Sequence, residues 1–249
     1  MSGDAGLAWR QFRLERRMFW RNPSAAFFSF ILPLLFLFLF GAIGSGDKAT
    51  LQVIVPGIAG FSIMATTFNA LAMNITFLRE QGVLKRMRGT PLPTGSYLAG
   101  VLGNAAMSAA IQLLIVVLSA KFLFGLDWPR DLLALVVFGT LGVVCMASLG
   151  VAFSHVIPNF DAAPAYSNMV FLPMIFISGV FYDASNVPAF LRDIANALPL
   201  VHIINGLKGA LVTGEGLADH LDDLGAVALW AAAGIFFAVR GFAWESKRA

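Results

Sequence analysis

The chain has 249 residues, 58% of them hydrophobic and only 12% charged, with a formal net charge of +3. Soluble domains sit near about 45–50% apolar and about 25% charged, so this balance excludes a soluble catalytic domain. The positive residues gather at the ends of apolar runs, as membrane orientation requires, and this argues against a nucleic-acid footprint. The single cysteine, Cys145, excludes an internal disulfide, and no Cys/His cluster with metal-ligand spacing occurs.

Residues 5–21 come first. On a helical wheel Leu7, Leu14 and Met18 share one side with Phe12 and Phe19 adjoining, while Arg10, Arg13, Arg17 and Arg21 gather opposite. This spacing predicts a basic amphipathic helix lying along the membrane surface. The apolar run after it is span-length and lacks the short core and cleavage site of a signal peptide, so it reads as a retained span.

A membrane-crossing helix needs about 20 mostly apolar residues. Stretches of that kind predict six transmembrane helices near 24–43, 52–77, 97–120, 132–155, 163–182 and 223–242. The second carries Thr66, Thr67, Asn69, Asn74 and Thr76. The third carries Ser96, Gly100, Asn104, Ser108 and Gln112 at four-residue spacing, which is one small, polar stripe. Small-xxx-small spacing favours a close helix seam, although the same stripe could form one wall of a substrate path. Residues assigned to that path are Asn69, Asn104, Ser108, Gln112, Asn168 and Phe176. Phe171, Phe176 and Phe181 could form an outer apolar gate.

Between the second and third spans lies a charged segment, Leu78 to Pro93, with an apolar edge of Val83, Leu84 and Met87. A short helix would put that edge on one face, ended by Gly89, Pro91 and Pro93. Two readings stand: a helix docking into a groove of a soluble partner, or a loop resting on headgroups.

Residues 183–222 carry several charges around the uncharged run Ile194–Leu207, which is too short to span. A helix from Pro188 through Leu198, a break at Pro199 and a second helix through Leu211 predict an outer re-entrant hairpin. Lys and Arg are concentrated in the N-terminal arm, the 78–96 loop and the C-terminal tail. That asymmetry predicts both termini inside.

No catalytic residue is assigned, and no phosphate-cradling G-x-x-x-x-G-K-[ST] loop occurs. Ser178-Gly179 with His202 downstream could be read as an intramembrane serine hydrolase, but the leading Gly of the usual turn is missing. His155 and Asp161 sit near a span end, leaving no ionisable coupling site within a span. Energy for uphill transport would therefore have to come from outside the chain. A non-transport membrane scaffold is the other competing reading.

Three stretches resemble the permease subunits of type-2 ABC transporters, a class that includes drug and polysaccharide exporters. They are Arg21-Asn22-Pro23 leading into a span; Arg79-Glu80-x-Gly82-x-Leu84-(x)5-Thr90-Pro91; and Pro173-Met174-x-Phe176-x-Ser178-Gly179-x-Phe181 followed by Pro188 and Leu198-Pro199-Leu200. Their order and spacing cover the chain from about Trp9 to Ala243. The resemblance implies one plasma-membrane permease domain over 1–249, paired with a second permease chain (homo- or heterodimer) and two cytoplasmic ATPase subunits that bind the ATP. Segment 79–93 becomes a coupling helix, with Arg79, Glu80, Val83, Leu84 and Met87 at the ATPase contact. The cargo expected is hydrophobic and drug-like or lipid-like, with polysaccharide or glycolipid as the alternative. No cofactor is expected in this chain, and no nucleic acid.

Overall fold

The computed structural model describes residues 3–43, 47–89, 92–182 and 188–241. Thr90 and Pro91 of the charged segment, Asp183, and the terminal Phe242, Trp244, Lys247 and Arg248 lie outside the described residues. Among the described residues the fold is all-helical, with no strand. A bilayer core offers no water to backbone groups, so a chain this apolar must satisfy them within helices.

Helix α1 (Asp4–Arg21) precedes α2 (Pro23–Ile43), which opens on a proline whose missing N–H has no helical acceptor to lose. Helix α3 (Lys48–Met64) passes through a single wide π turn at Ala65–Asn69 into α4 (Ala70–Glu80), making one 33-residue rod from Lys48 to Glu80. Asp47 caps its start, accepting from the Ala49 N–H at 3.0 Å and the Thr50 hydroxyl at 2.7 Å. Those two bonds, the Thr50 hydroxyl first, hold the Asp47 carboxyl below its ordinary range. Polar side chains within the rod bond to their own backbone: Ser62 to Ile58, Thr66 to Ser62, Thr67 to Ile63 and Thr76 to Ala72, at 2.6–2.8 Å. They therefore enter the apolar interior without unmet donors.

A left-handed turn at Gly82 (φ 66°) leads to the short α5 (Val83–Arg88). A side chain there would be strained, because only glycine adopts that φ freely. Then come α6 (Thr94–Phe124), α7 (Leu132–Phe153) and α8 (Ala163–Ile177). Asp131 caps α7 through the Ala134 N–H at 2.9 Å. Helices α9 (Ala189–Asn196) and α10 (Pro199–Lys208, extended by a π turn to Thr213) meet at 90° across the Pro199 break. The chain closes with α11 (Leu221–Gly241).

The α3–α4 rod is the hub, with Ile54, Ile58, Ile63, Met64 and Phe68 in the main core beside Phe138 and Met146 of α7 and Leu200 and Ile203 of α10. Helix α11 contributes only a narrow seam, Val227, Ala231, Gly234 and Ala238, packed on α7. Small residues at that spacing let two helices approach closely in lipid.

Among the described residues, four helices are long and apolar enough to cross a membrane, or five if the bent α9–α10 pair is one crossing. The expected fifth span, 163–182, is a 15-residue helix that stops at Ile177. Gly179 takes a left-handed φ of 73° just beyond it, and a helix cannot continue through that conformation. The two-helix break around Pro199 appears where the sequence puts it.

The α9–α10 pair is tied to α11 by a polar network the sequence reading did not identify. His202 bonds Asp223 through Nδ1 at 2.6 Å and the Asn196 carbonyl through Nε2 at 2.8 Å. His220 bonds the other Asp223 oxygen at 3.0 Å and Glu215 at 3.1 Å, and the Asn205 amide donates to Asp223 at 3.2 Å. Asp223→Ala should remove three bonds at once, each worth about 1.5–3 kcal/mol when one partner is charged. The expected result is faster hydrogen exchange confined to residues 189–208 and a lower melting temperature. Unchanged exchange there would show that the network does not hold the pair.

Candidate coupling site

The site is built where α4 runs out. Arg79 is the last cation of the rod and is 7% exposed. Its guanidinium donates to the Ser154 carbonyl at 3.0 Å and to the Ile157 carbonyl at 2.6 Å. These carbonyls belong to the C-terminal end of α7 and the turn after it, where helix carbonyls have no intrahelical donor. A cation also suits that end of the helix dipole. Next to it, Glu80 accepts the Phe160 backbone N–H. Arg79 and Glu80 thus clamp both sides of the 154–160 turn that leads into α8. Phe77 and Phe160 add an edge-to-face ring contact, 5.0 Å between centroids.

Helix α5 hangs from the same end of α4. Leu84 is fully buried, in a cluster with Leu71, Ile75, Tyr97 and Val101, and Met87 packs against that cluster. The apolar edge that the sequence offered to a partner is therefore mostly spent on the chain's own core. The period was right, but the sequence could not say which of two apolar surfaces the edge meets. Val83 is half-buried, while Glu80, Lys85 and Arg86 are exposed. The outward face of α5 is basic.

Helix α1 braces this region from the side. Its buried residues are Gln11 and Glu15, not its apolar ones. The inward stripe of α6 receives it: Ser96 donates to the Asp4 carbonyl at 3.1 Å, Arg16 donates to the Ser108 hydroxyl at 3.1 Å, and Gly100 lies so close to Gln11 that an added Cβ would come within 2.6 Å. Leu14 and Met18 remain exposed on the flank suited to lipid, and Arg10, Arg13, Arg17 and Arg21 point outward. The amphipathic pattern showed a surface helix. Its buried third, a polar face matched to small residues, carried no hydrophobic signal.

Burial pushes the Glu15 carboxyl up from its ordinary value, and the Gln11 amide, donating at 2.8 Å, offsets part of the rise.

The six residues assigned to a substrate path lie on the central rod, α6 and α8. Ser108 meets α1, and the Gln112 amide donates to the Phe30 carbonyl of α2 at 3.3 Å. Asn69 and Asn104 each keep a buried side-chain oxygen without a hydrogen-bond partner among the described residues, as does the Oε1 of Gln112. Asn168 and Phe176 lie on the exposed face of α8 with Leu172. The aromatic group around Phe181 is larger than the sequence showed: Phe36 and Phe40 of α2 join Phe61, Phe176 and Phe181, with Phe40 stacked on Phe181 at 4.7 Å and Phe171 beside Phe61. For hydrolase chemistry, both ring nitrogens of His202 are engaged by Asp223 and Asn196, so neither is open to Ser178 as a general base.

Residues 6–212 match the family described as ABC-2 type transporter. The chain belongs to the ABC-2 type transporter family. It is 25% identical over 234 residues to Nodulation protein J of Rhizobium leguminosarum bv. viciae, covering 90% of each chain. It is 25% identical over 176 residues to the Linearmycin resistance permease protein LnrN of Bacillus subtilis, covering 70% of this chain and 46% of that one. It is 24% identical over 165 residues to the Probable multidrug ABC transporter permease YbhS of Escherichia coli K12, covering 65% of this chain and 43% of that one. Members of the ABC-2 family are membrane transport subunits that work with ABC ATPase partner subunits.

Two predictions follow from the geometry of this ABC-2 chain. Leu84→Ala should cost about 3 kcal/mol of stability, as for a fully buried leucine, whereas Lys85→Ala should change stability little; thermal melting of the purified protein checks both. Glu15 gives a pH dependence. Its folded value lies above its unfolded one, so the native state holds the proton more tightly and the chain loses stability as pH rises through the interval between the two values. Glu15→Gln should therefore melt higher than the parent at neutral pH, and the gap should close as pH falls below about 4.5. A gap independent of pH would contradict the assignment.

Proposed function

We propose that this chain is the membrane-spanning permease of an ATP-driven exporter, pairing with a second permease chain and driven by two cytoplasmic ABC ATPase subunits that dock at α5. The observation that carries this reading is the clamp: Arg79 and Glu80 join the end of α4, from which the basic α5 hangs, to the turn entering α8. A push on α5 would then reach α8 without passing through flexible chain.

In this reading Lys85, Arg86 and Val83 form the outward contact, Leu84 and Met87 seat α5, and Arg79 and Glu80 transmit its position. Both termini lie in the cytoplasm, in the plasma membrane of the cell. The exposed α8 face with Asn168 and Phe176 would lie along the pathway between the two permeases, closed on the outer side by the aromatic group. ATP closing the ATPases would shift the pair between two states through differential binding, which is how any ligand moves a conformational equilibrium.

The cargo is hydrophobic, drug-like or lipid-like. The apolar α8 face supports this, as do the names of the relatives LnrN and YbhS, which refer to linearmycin resistance and to multidrug transport.

The test is reconstitution with the cognate ATPase in proteoliposomes. The chain alone should hydrolyse no ATP; the assembled complex should export a hydrophobic dye on ATP addition. Lys85→Glu with Arg86→Glu should lower ATPase capture about tenfold or more while leaving the melting temperature unchanged. Capture at parental strength would remove α5 as the docking element. Export of a labelled oligosaccharide in place of the dye would move the cargo to the polysaccharide class.

A further inference from the structure

A groove of about 610 Å³ opens between α8 and α11, floored by α7 and the π turn of the central rod. Phe153, Met174, Trp230 and Phe237 line its walls, and His155, Arg240 and Gly241 stand at one mouth. That mouth is on the same side as the Arg79 clamp, since His155 directly follows the clamped Ser154. The other end stops at Leu198 and Pro199, and the Trp230 indole donates to the Ala197 carbonyl at 3.2 Å. Arg240 lies over the Phe236 ring, 4.6 Å from its centroid, with its charge at the groove's edge.

We propose that this groove binds an acidic phospholipid of the cytoplasmic leaflet, its chains against Phe153, Met174 and Phe237 and its phosphate at Arg240 and His155. Two observations choose this occupant. The first is charge: an apolar trough ending in an arginine and a histidine suits a chain-bearing anion, and basic pockets between helices on the cytoplasmic side are suited to acidic headgroups. The second is length. Trp230 to Arg240 spans ten residues of helix, a rise of about 15 Å, or half of the roughly 30 Å hydrocarbon core. One leaflet's acyl chains fit that length, whereas a helix from a second copy would continue across the whole core. The site rests on the proposed orientation, with the clamp end of the bundle at the cytoplasmic face, and not on what the permease exports.

The experiment uses the purified full chain in an uncharged detergent, titrated with phosphatidylglycerol or with phosphatidylcholine of identical chains. Thermal melting and native mass spectrometry are the readouts. Phosphatidylglycerol should raise the melting midpoint and remain bound as a mass adduct, with a half-saturating concentration at least about tenfold below that of phosphatidylcholine, the factor a charge-assisted bond supplies. Arg240→Gln should bring the two lipids within about threefold of each other, each compared with that variant's own lipid-free midpoint. Ala152→Phe, which fills the trough, should abolish both responses; if it does not fold, the Arg240→Gln comparison decides alone. Equal response of the parent chain to the two lipids, full preference retained in Arg240→Gln, or an equal shift from glycerol 3-phosphate without chains would each overturn the proposal. So would efficient disulfide pairing of two Ala152→Cys chains, which would place a second copy in the groove.

Discussion

A guanidinium buried at the end of a transmembrane rod must find acceptors, because a desolvated charge without them costs several kcal/mol. Arg79 finds two in the last carbonyls of α7 and the turn beyond, groups that themselves lack donors. Each side of the pairing relieves the other's deficit, so the turn at 154–160 is fixed to α4 and not merely adjacent to it. The Glu80 bond to Phe160 closes the other side. The entry angle of α8, and the exposed face that α8 presents, both follow from this clamp.

Other polar groups of the bundle are met both locally and across helices. Hydroxyls of the central rod return to their own helix backbone, and the acidic caps Asp47 and Asp131 supply the first turns of α3 and α7. Asp223 gathers two histidines and Asn205 to hold the α9–α10 pair on α11. Among the described residues, these arrangements include no charged relay within the spans of the kind that ion-coupled carriers use. An external motor acting on α5 is consistent with that economy, and the basic outward face of α5 is where such a motor would bear.

Much of the scaffold was legible because hydropathy and proline report directly on helices. The Pro199 break, the two short helices beside it and the short helix after Gly82 could be read from residues alone. The surfaces that the helices share were harder to read. Val83, Leu84 and Met87 announce one apolar face, but nothing local says that Leu84 meets Tyr97 and Val101 in its own chain. Gln11 and Glu15 look like solvated residues until Gly100 lets α1 approach α6. The His202, Asp223, His220 and Glu215 network joins residues up to 21 positions apart whose spacing matches no metal or catalytic pattern. Long-range polar pairing of this kind leaves no periodicity to detect.

The central claim is that α5 and the turn entering α8 move as one body. Spin labels at Lys85→Cys and Asp161→Cys, measured by pulsed electron resonance in the ATPase-assembled permease, test it most directly. The distance between them should keep the same distribution in nucleotide-free and ATP-trapped states. The distance from Lys85→Cys to a label at Ala218→Cys, at the far end of the bundle, should change between those states. A Lys85–Asp161 distance that shifts with nucleotide would contradict the account, because the clamp would then yield where it is required to transmit.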